Sequence, residues 1–159
     1  MKRIALLILL FLVAFGSSFA QEDKKKEDQI RQLIENEKFQ FSARSVTPMS
    51  GGTINLTSEY DLVVDTTHVE AWLPYYGRAY QTDYGSTEGG IKFKERAKVL
   101  DVKKDDKKKT YEIRIEVDTD NDSYKIFIRA GYTGYASMDI ISTRRQSVSY
   151  YGIIEPLNE

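Results

Sequence analysis

The chain has 159 residues, 41% of them hydrophobic and 30% charged, with 23 basic and 24 acidic side chains, one His and no Cys. That balance excludes wholesale disorder and a multi-pass membrane protein, and the missing cysteine excludes disulfides, thiol catalysis and iron–sulfur clusters. A single imidazole leaves no polyhistidine zinc site, and with neither charge sign dominant, nucleic acid is not an expected partner.

Met1-Lys2-Arg3 is a short basic start, Ile4 to Phe15 is an unbroken apolar run of 12 residues, and Gly16 to Ala20 ends on small residues. This is the pattern of a cleaved signal peptide over residues 1–20. The run is shorter than the roughly 20 residues that span a bilayer, and no Cys follows it to carry a lipid. The expected product is a soluble periplasmic or secreted protein, with no transmembrane segment in its mature form, and not a lipoprotein. Removing Lys2 and Arg3 leaves 21 basic against 24 acidic side chains, a net charge of −3. One domain is expected from the remaining chain.

Residues 21–38 read as a polar lead-in followed by one amphipathic helix from Glu27 to Lys38, with Ile30, Leu33, Ile34 and Glu37 at helical spacing. At Phe39 the period changes from 3.6 to 2, and residues 39–159 read as an antiparallel β domain on which the helix packs. Phe39 and Phe41 alternate with polar neighbours up to Pro48 and Gly51-Gly52. Ile54 and Leu56, then Tyr60, Leu62 and Val64, then Val69, Ala71 and Leu73 continue the alternation. Pro74 to Gly90 reads as a long aromatic loop, and long loops in compact domains are often functional. Ile91 and Phe93 restart a strand, and Lys98, Leu100 and Val102 begin another that runs into the charged tip Lys103 to Lys109. Tyr111 to Val117 and Tyr124 to Ile128 form the clearest hairpin, joined by Asp118-Thr119-Asp120-Asn121-Asp122. Met138 to Ile141 and Ser147 to Ile154 complete about eight or nine strands. Helical crossovers are lacking, so the predicted fold is mainly β, an antiparallel up-and-down barrel or strongly curved meander with one N-terminal helix.

Three constellations could carry chemistry. Asp118-x-Asp120-x-Asp122 opens like a calcium loop, but Ser123 stands where the loop needs Gly and Arg129 where it needs Glu, so a polar turn is expected and no metal. His68 beside Glu70 could form a general base, yet no nucleophile motif accompanies it, and a surface strand histidine explains it better. No catalytic residue and no cofactor are expected from these patterns. The third constellation is Trp72-Leu73-Pro74-Tyr75-Tyr76-Gly77-Arg78-Ala79-Tyr80. Aromatic faces stack on sugars, lipids and rings, and an arginine can take a carboxylate bidentately. The candidate ligand-binding residues are Trp72, Tyr75, Tyr76, Arg78 and Tyr80. The competing reading places Trp72 and Leu73 on opposite faces of a strand end, with the tyrosines as a structural cover. Tyr150 and Tyr151 could join the same surface.

Phe39-x-Phe41-x-Ala43 followed by Pro48, the Leu73 to Tyr80 block, Gly90-Ile91-x-Phe93 and Ser149-Tyr150-Tyr151-Gly152-x-Ile154-x-Pro156 carry a resemblance. Together with the leader, they resemble a family of small exported proteins of unknown function from Bacteroides-type Gram-negative bacteria. The resemblance implies export and a cell-envelope or secreted setting, and it assigns no activity, cofactor or catalytic residue. The functional expectation is a non-enzymatic binding protein whose aromatic and arginine loop holds a small amphipathic ligand or glycan fragment. The alternatives are a cell-envelope protein-interaction or structural module and, last, a carboxylate-based hydrolase.

Overall fold

The computed structural model describes residues 23–78 and 90–157. The first element, α1, covers residues 23–35, so the helix is already formed ahead of the expected start at Glu27 and ends short of Lys38. Ile30 and Ile34 are its buried residues. The last turn tightens: Asn36 N–H donates to Gln32 O and Glu37 N–H to Ile34 O, both at 3.0 Å. Glu37 then takes a φ of 55°, which reverses the chain into the first strand. Its helical spacing from Ile34 made it look like part of the stripe, whereas its backbone makes the corner.

The strands are β1 (Lys38–Pro48), β2 (Ile54–Asn55), β3 (Asp61–Asp65), β4 (His68–Leu73), β5 (Ile91–Arg96), β6 (Val99–Asp105), β7 (Thr110–Asp118), β8 (Ser123–Gly131), β9 (Tyr135–Ser142) and β10 (Val148–Glu155). Their order is β5-β4-β3-β1-β10-β9-β8-β7-β6, with β2 on β1 beside the main path. All pairs are antiparallel. The result is a curled half-barrel in which the first and last long strands are hydrogen-bonded neighbours. The two edges of the sheet are β5 and β6, which follow each other directly in sequence. Between them, Ala97 N–H bonds to Thr67 O and Lys98 N–H to Glu116 O, both at 2.8 Å. The connection thus uses its donors on two different parts of the sheet.

Alternation decides which face is buried. In β7 and β8, Tyr111, Ile113, Ile115, Val117, Tyr124, Ile126, Ile128 and Ala130 point inward, while Glu112, Arg114, Lys125 and Arg129 point out. The concave side is filled by these residues together with Phe39, Phe41, Leu62, Met138, Ile140 and the two isoleucines of α1. Gly152 lets β10 lie close to β1, because a Cβ there would collide with the Ser42 carbonyl and come within 2.9 Å of the Phe41 ring. Among the described residues no helix is long and apolar enough to cross a membrane.

Candidate functional site

β4 ends with two side chains on opposite faces. Leu73 is buried in the core, and Trp72 is 55% exposed on the convex side, with the Lys92 ammonium 4.1 Å from its ring centroid. Pro74 takes the chain off the sheet, and residues 74–78 cross to the connection between β9 and β10. The Tyr150 hydroxyl donates to Pro74 O at 2.8 Å. The Tyr75 hydroxyl lies 2.9 Å from Arg78 O and 3.0 Å from Gln146 O and donates its single proton to one of them. Gln146 N–H donates to Arg78 O at 3.1 Å, and Arg78 N–H donates to Gln146 Oε1 at 3.3 Å. Tyr75 folds back so tightly that a Cβ on residue 77 would strike its hydroxyl, which is why glycine stands there. Tyr76 remains half exposed.

The β9–β10 connection brings in a residue that the sequence reading does not single out. The Arg145 guanidinium carbon is 5.3 Å from the Tyr75 ring centroid, and its Nη1 donates to Gly90 O at 2.8 Å. One edge of the guanidinium thus ties residue 90 to this end of the half-barrel, and its face lies by an aromatic ring. Among the described residues no carboxylate forms an ion pair with Arg78 or Arg145.

The turn that presents Arg145 is fixed by a buried acid. Asp122 Oδ1 accepts from Ser123 N–H at 2.8 Å, Thr143 N–H at 3.1 Å and the Thr143 hydroxyl at 2.8 Å, while Oδ2 accepts from the Ser142 hydroxyl at 2.6 Å. Ser142 Oγ in turn accepts from Arg144 N–H and Arg145 N–H, both at 3.0 Å. Burial opposes ionisation of Asp122, but the hydrogen bonds from Ser142, Thr143 and Ser123 outweigh it and hold the carboxyl below its ordinary value of 3.8. Beneath lie Phe93 and Tyr124, stacked at 5.1 Å. Burial first, and then the charge of Asp122, push the Tyr124 phenol up to about 12. Burial likewise raises Tyr150, with Tyr75 next among the causes. Both phenols therefore stay neutral, and neither cancels an arginine charge.

The structure brings Tyr75, Tyr76 and Arg78 to one end and adds Arg145, Tyr150, Phe93 and Tyr124 to them. It separates Trp72, which strand parity sends to the convex face. Tyr80 lies in 79–89, outside the described residues. Tyr150 and Tyr151 also part company: Tyr151 is outside, stacked on Tyr135 with ring centroids 6.4 Å apart. Arg145 had a legible signal in hindsight, since residues 140–148 hold two consecutive arginines and no acid.

The other constellations go elsewhere. Asp118 pairs with Lys98 while Asp122 turns inward, so the acidic turn does not converge, and among the described residues no group of three or more His, Cys, Asp or Glu could hold a metal. His68 and Glu70 stand exposed on β4, and Glu70 pairs with Lys94 at 2.8 Å. They line a cavity of about 300 Å³ with Gln40, Val63 and Asp65. A second cavity of about 260 Å³ lies across Gln40, between β1 and residues 56–61, where burial and then Glu70 and Glu59 raise the Asp61 carboxyl. A third, of about 230 Å³, is lined mainly by outward residues of β6 to β9. None of these three is lined by Trp72, Tyr75, Tyr76 or Arg78.

A family model described as "Domain of unknown function (DUF4251)" matches residues 21–154. The chain belongs to the DUF4251 family. The sequence resemblance is thereby confirmed at the level of a family of unknown function. A crystal structure of a DUF4251 family protein from Bacteroides eggerthii is similar to this chain, with a TM-score of 0.64 at 16% identity, covering 82% of this chain and 87% of the other. At that identity the likeness speaks for the shared fold alone. No curated protein matches this DUF4251 chain.

Proposed function

We propose that this DUF4251 chain is an exported binding protein that takes a small amphipathic ligand or glycan fragment at the end of the half-barrel formed by Tyr75, Tyr76, Arg78 and Arg145. The observation that carries this reading is the joining of two segments distant in sequence, 74–78 and 145–150, by hydrogen bonds in both directions. That strap holds a half-exposed Tyr76, the Tyr75 ring and two arginines that pair with no carboxylate among the described residues. Aromatic faces supply apolar contact and arginine supplies a directional donor set, the combination by which pockets orient amphipathic molecules. Export is supported by the basic start, the 12-residue apolar run and the small residues up to Ala20. The family match begins right after it, at residue 21.

Native mass spectrometry of the protein purified from its own host tests the reading. The expected result is a retained small molecule that is lost from a Tyr76→Ala, Arg78→Ala double variant with an unchanged melting temperature. A wild-type protein that is bare, and that no member of a fatty-acid, glycan and peptidoglycan-fragment panel stabilises, would refute it.

A further inference from the structure

Many basic side chains on the outer surface of this molecule have an acidic neighbour. Lys38, Lys94 and Lys104 reach carboxylates at 3.2, 2.8 and 2.9 Å, and Arg129 reaches Glu112 at 3.7 Å. Arg145 is different. It is half-buried, one of its nitrogens is committed to Gly90 O, its face lies by Tyr75, and no described carboxylate balances its charge. Arg78, across the strap, has no carboxylate among the described residues either. Asp122, on the neighbouring turn, accepts four hydrogen bonds from the turn itself, and the neighbouring phenols of Tyr124 and Tyr150 are held neutral.

Resting on the binding reading above, we infer that the ligand is a carboxylic acid on an apolar body, and that Arg145, seconded by Arg78, receives the carboxylate. With Nη1 occupied by Gly90 O, the Nε–H and Nη2–H groups of Arg145 form one guanidinium edge, and among the described residues no acceptor takes them. Two parallel N–H groups match the two oxygens of a planar carboxylate, a geometry that a lysine cannot offer. The Asp122 clamp fixes the turn before the ligand arrives, so little ordering remains to be done on binding. The apolar body lies along Tyr75 and Tyr76, over the Phe93–Tyr124 stack.

Calorimetric titration with octanoate, octanol and sulfate tests this. Octanoate is expected to saturate a single site and to bind at least tenfold more tightly than octanol, with sulfate a poor competitor. Arg145→Gln and Arg78→Gln should each weaken octanoate at least fivefold while leaving octanol unchanged, and Arg145→Lys should recover only part of the loss. Thermal melts check that the variants are folded; Arg78, whose side chain holds no described contact, carries the test if Arg145→Gln does not fold. Equal affinity for octanol and octanoate, octanoate binding indifferent to both arginines, or sulfate competing as well as octanoate overturns the carboxylate assignment and leaves an amphipath site standing. Failure of octanoate and octanol alike, together with a bare protein in native mass spectrometry, overturns the binding reading as well.

Discussion

On the convex face, Lys94 meets Glu70 and Lys38 meets Asp65 from neighbouring strands, each partner more than half exposed; at the β9–β10 end, Arg78 and Arg145 meet no described carboxylate while a buried Asp122 is spent on hydrogen bonds. Exposed pairs of the first kind contribute little to stability. The second arrangement leaves positive charge beside aromatic rings and fixes the backbone that carries it. A region that is ordered by a buried network yet left electrically open is what a recognition site requires and a packing surface does not.

The largest effect that separates the two regions is expected from Asp122→Ala. Removing a buried acceptor of four hydrogen bonds should cost about 3 kcal/mol in urea unfolding, because the donors of Ser123, Ser142 and Thr143 are left without a partner. A loss under about 1 kcal/mol would mean that the clamp does not order the turn. The same group gives a pH signature. Its folded carboxyl titrates below 3.8, so its contribution is complete above that value and disappears as the pH falls through the lower folded value. Urea midpoints measured from about pH 5 to about pH 2 should therefore fall more steeply in the wild type than in Asp122→Asn.

Smaller is Tyr150→Phe, which removes the bond to Pro74 O and should cost about 1 kcal/mol while loosening the strap; hydrogen exchange at Tyr75 to Arg78 should speed up, whereas exchange in β7 should not. Smaller again is Trp72→Ala. Because the indole is more than half exposed, with one cation above it, the loss should stay near 1 kcal/mol, far from the roughly 3–5 kcal/mol of a buried aromatic. Octanoate affinity should not change, and a large drop would put Trp72 back in the site. Lys94→Ala should leave both the unfolding midpoint and binding where they were.

Much of the fold was legible because period-2 patterns are strict in a half-buried antiparallel sheet. Tyr111 to Val117 and Tyr124 to Ile128 show the core face directly, and the switch at Phe39 marks the end of the helix within a few residues. What stayed hidden depends on contacts distant in sequence. Nothing in residues 91–105 announces that the seam opens between β5 and β6 and not between first and last strands. Strand parity sends Trp72 outward, as the competing reading of the aromatic block has it. It likewise divides Tyr150 from Tyr151. Asp122 read as an ordinary turn residue, since its acceptor role needs Ser142 and Thr143 from the far end of β9. Arg145 carried the only legible clue to the missing half of the site, a cationic pair in an acid-free connection.

Amide chemical-shift mapping of the folded protein with octanoate tests the central claim most directly. The account predicts that the shifts gather at Tyr75 to Arg78, Gly90 and Arg144 to Gln146, three places distant in sequence that the strap and the Arg145 side chain bring together. Shifts confined to the convex residues of β3, β4 and β5, or no shifts at concentrations that saturate binding, would contradict it.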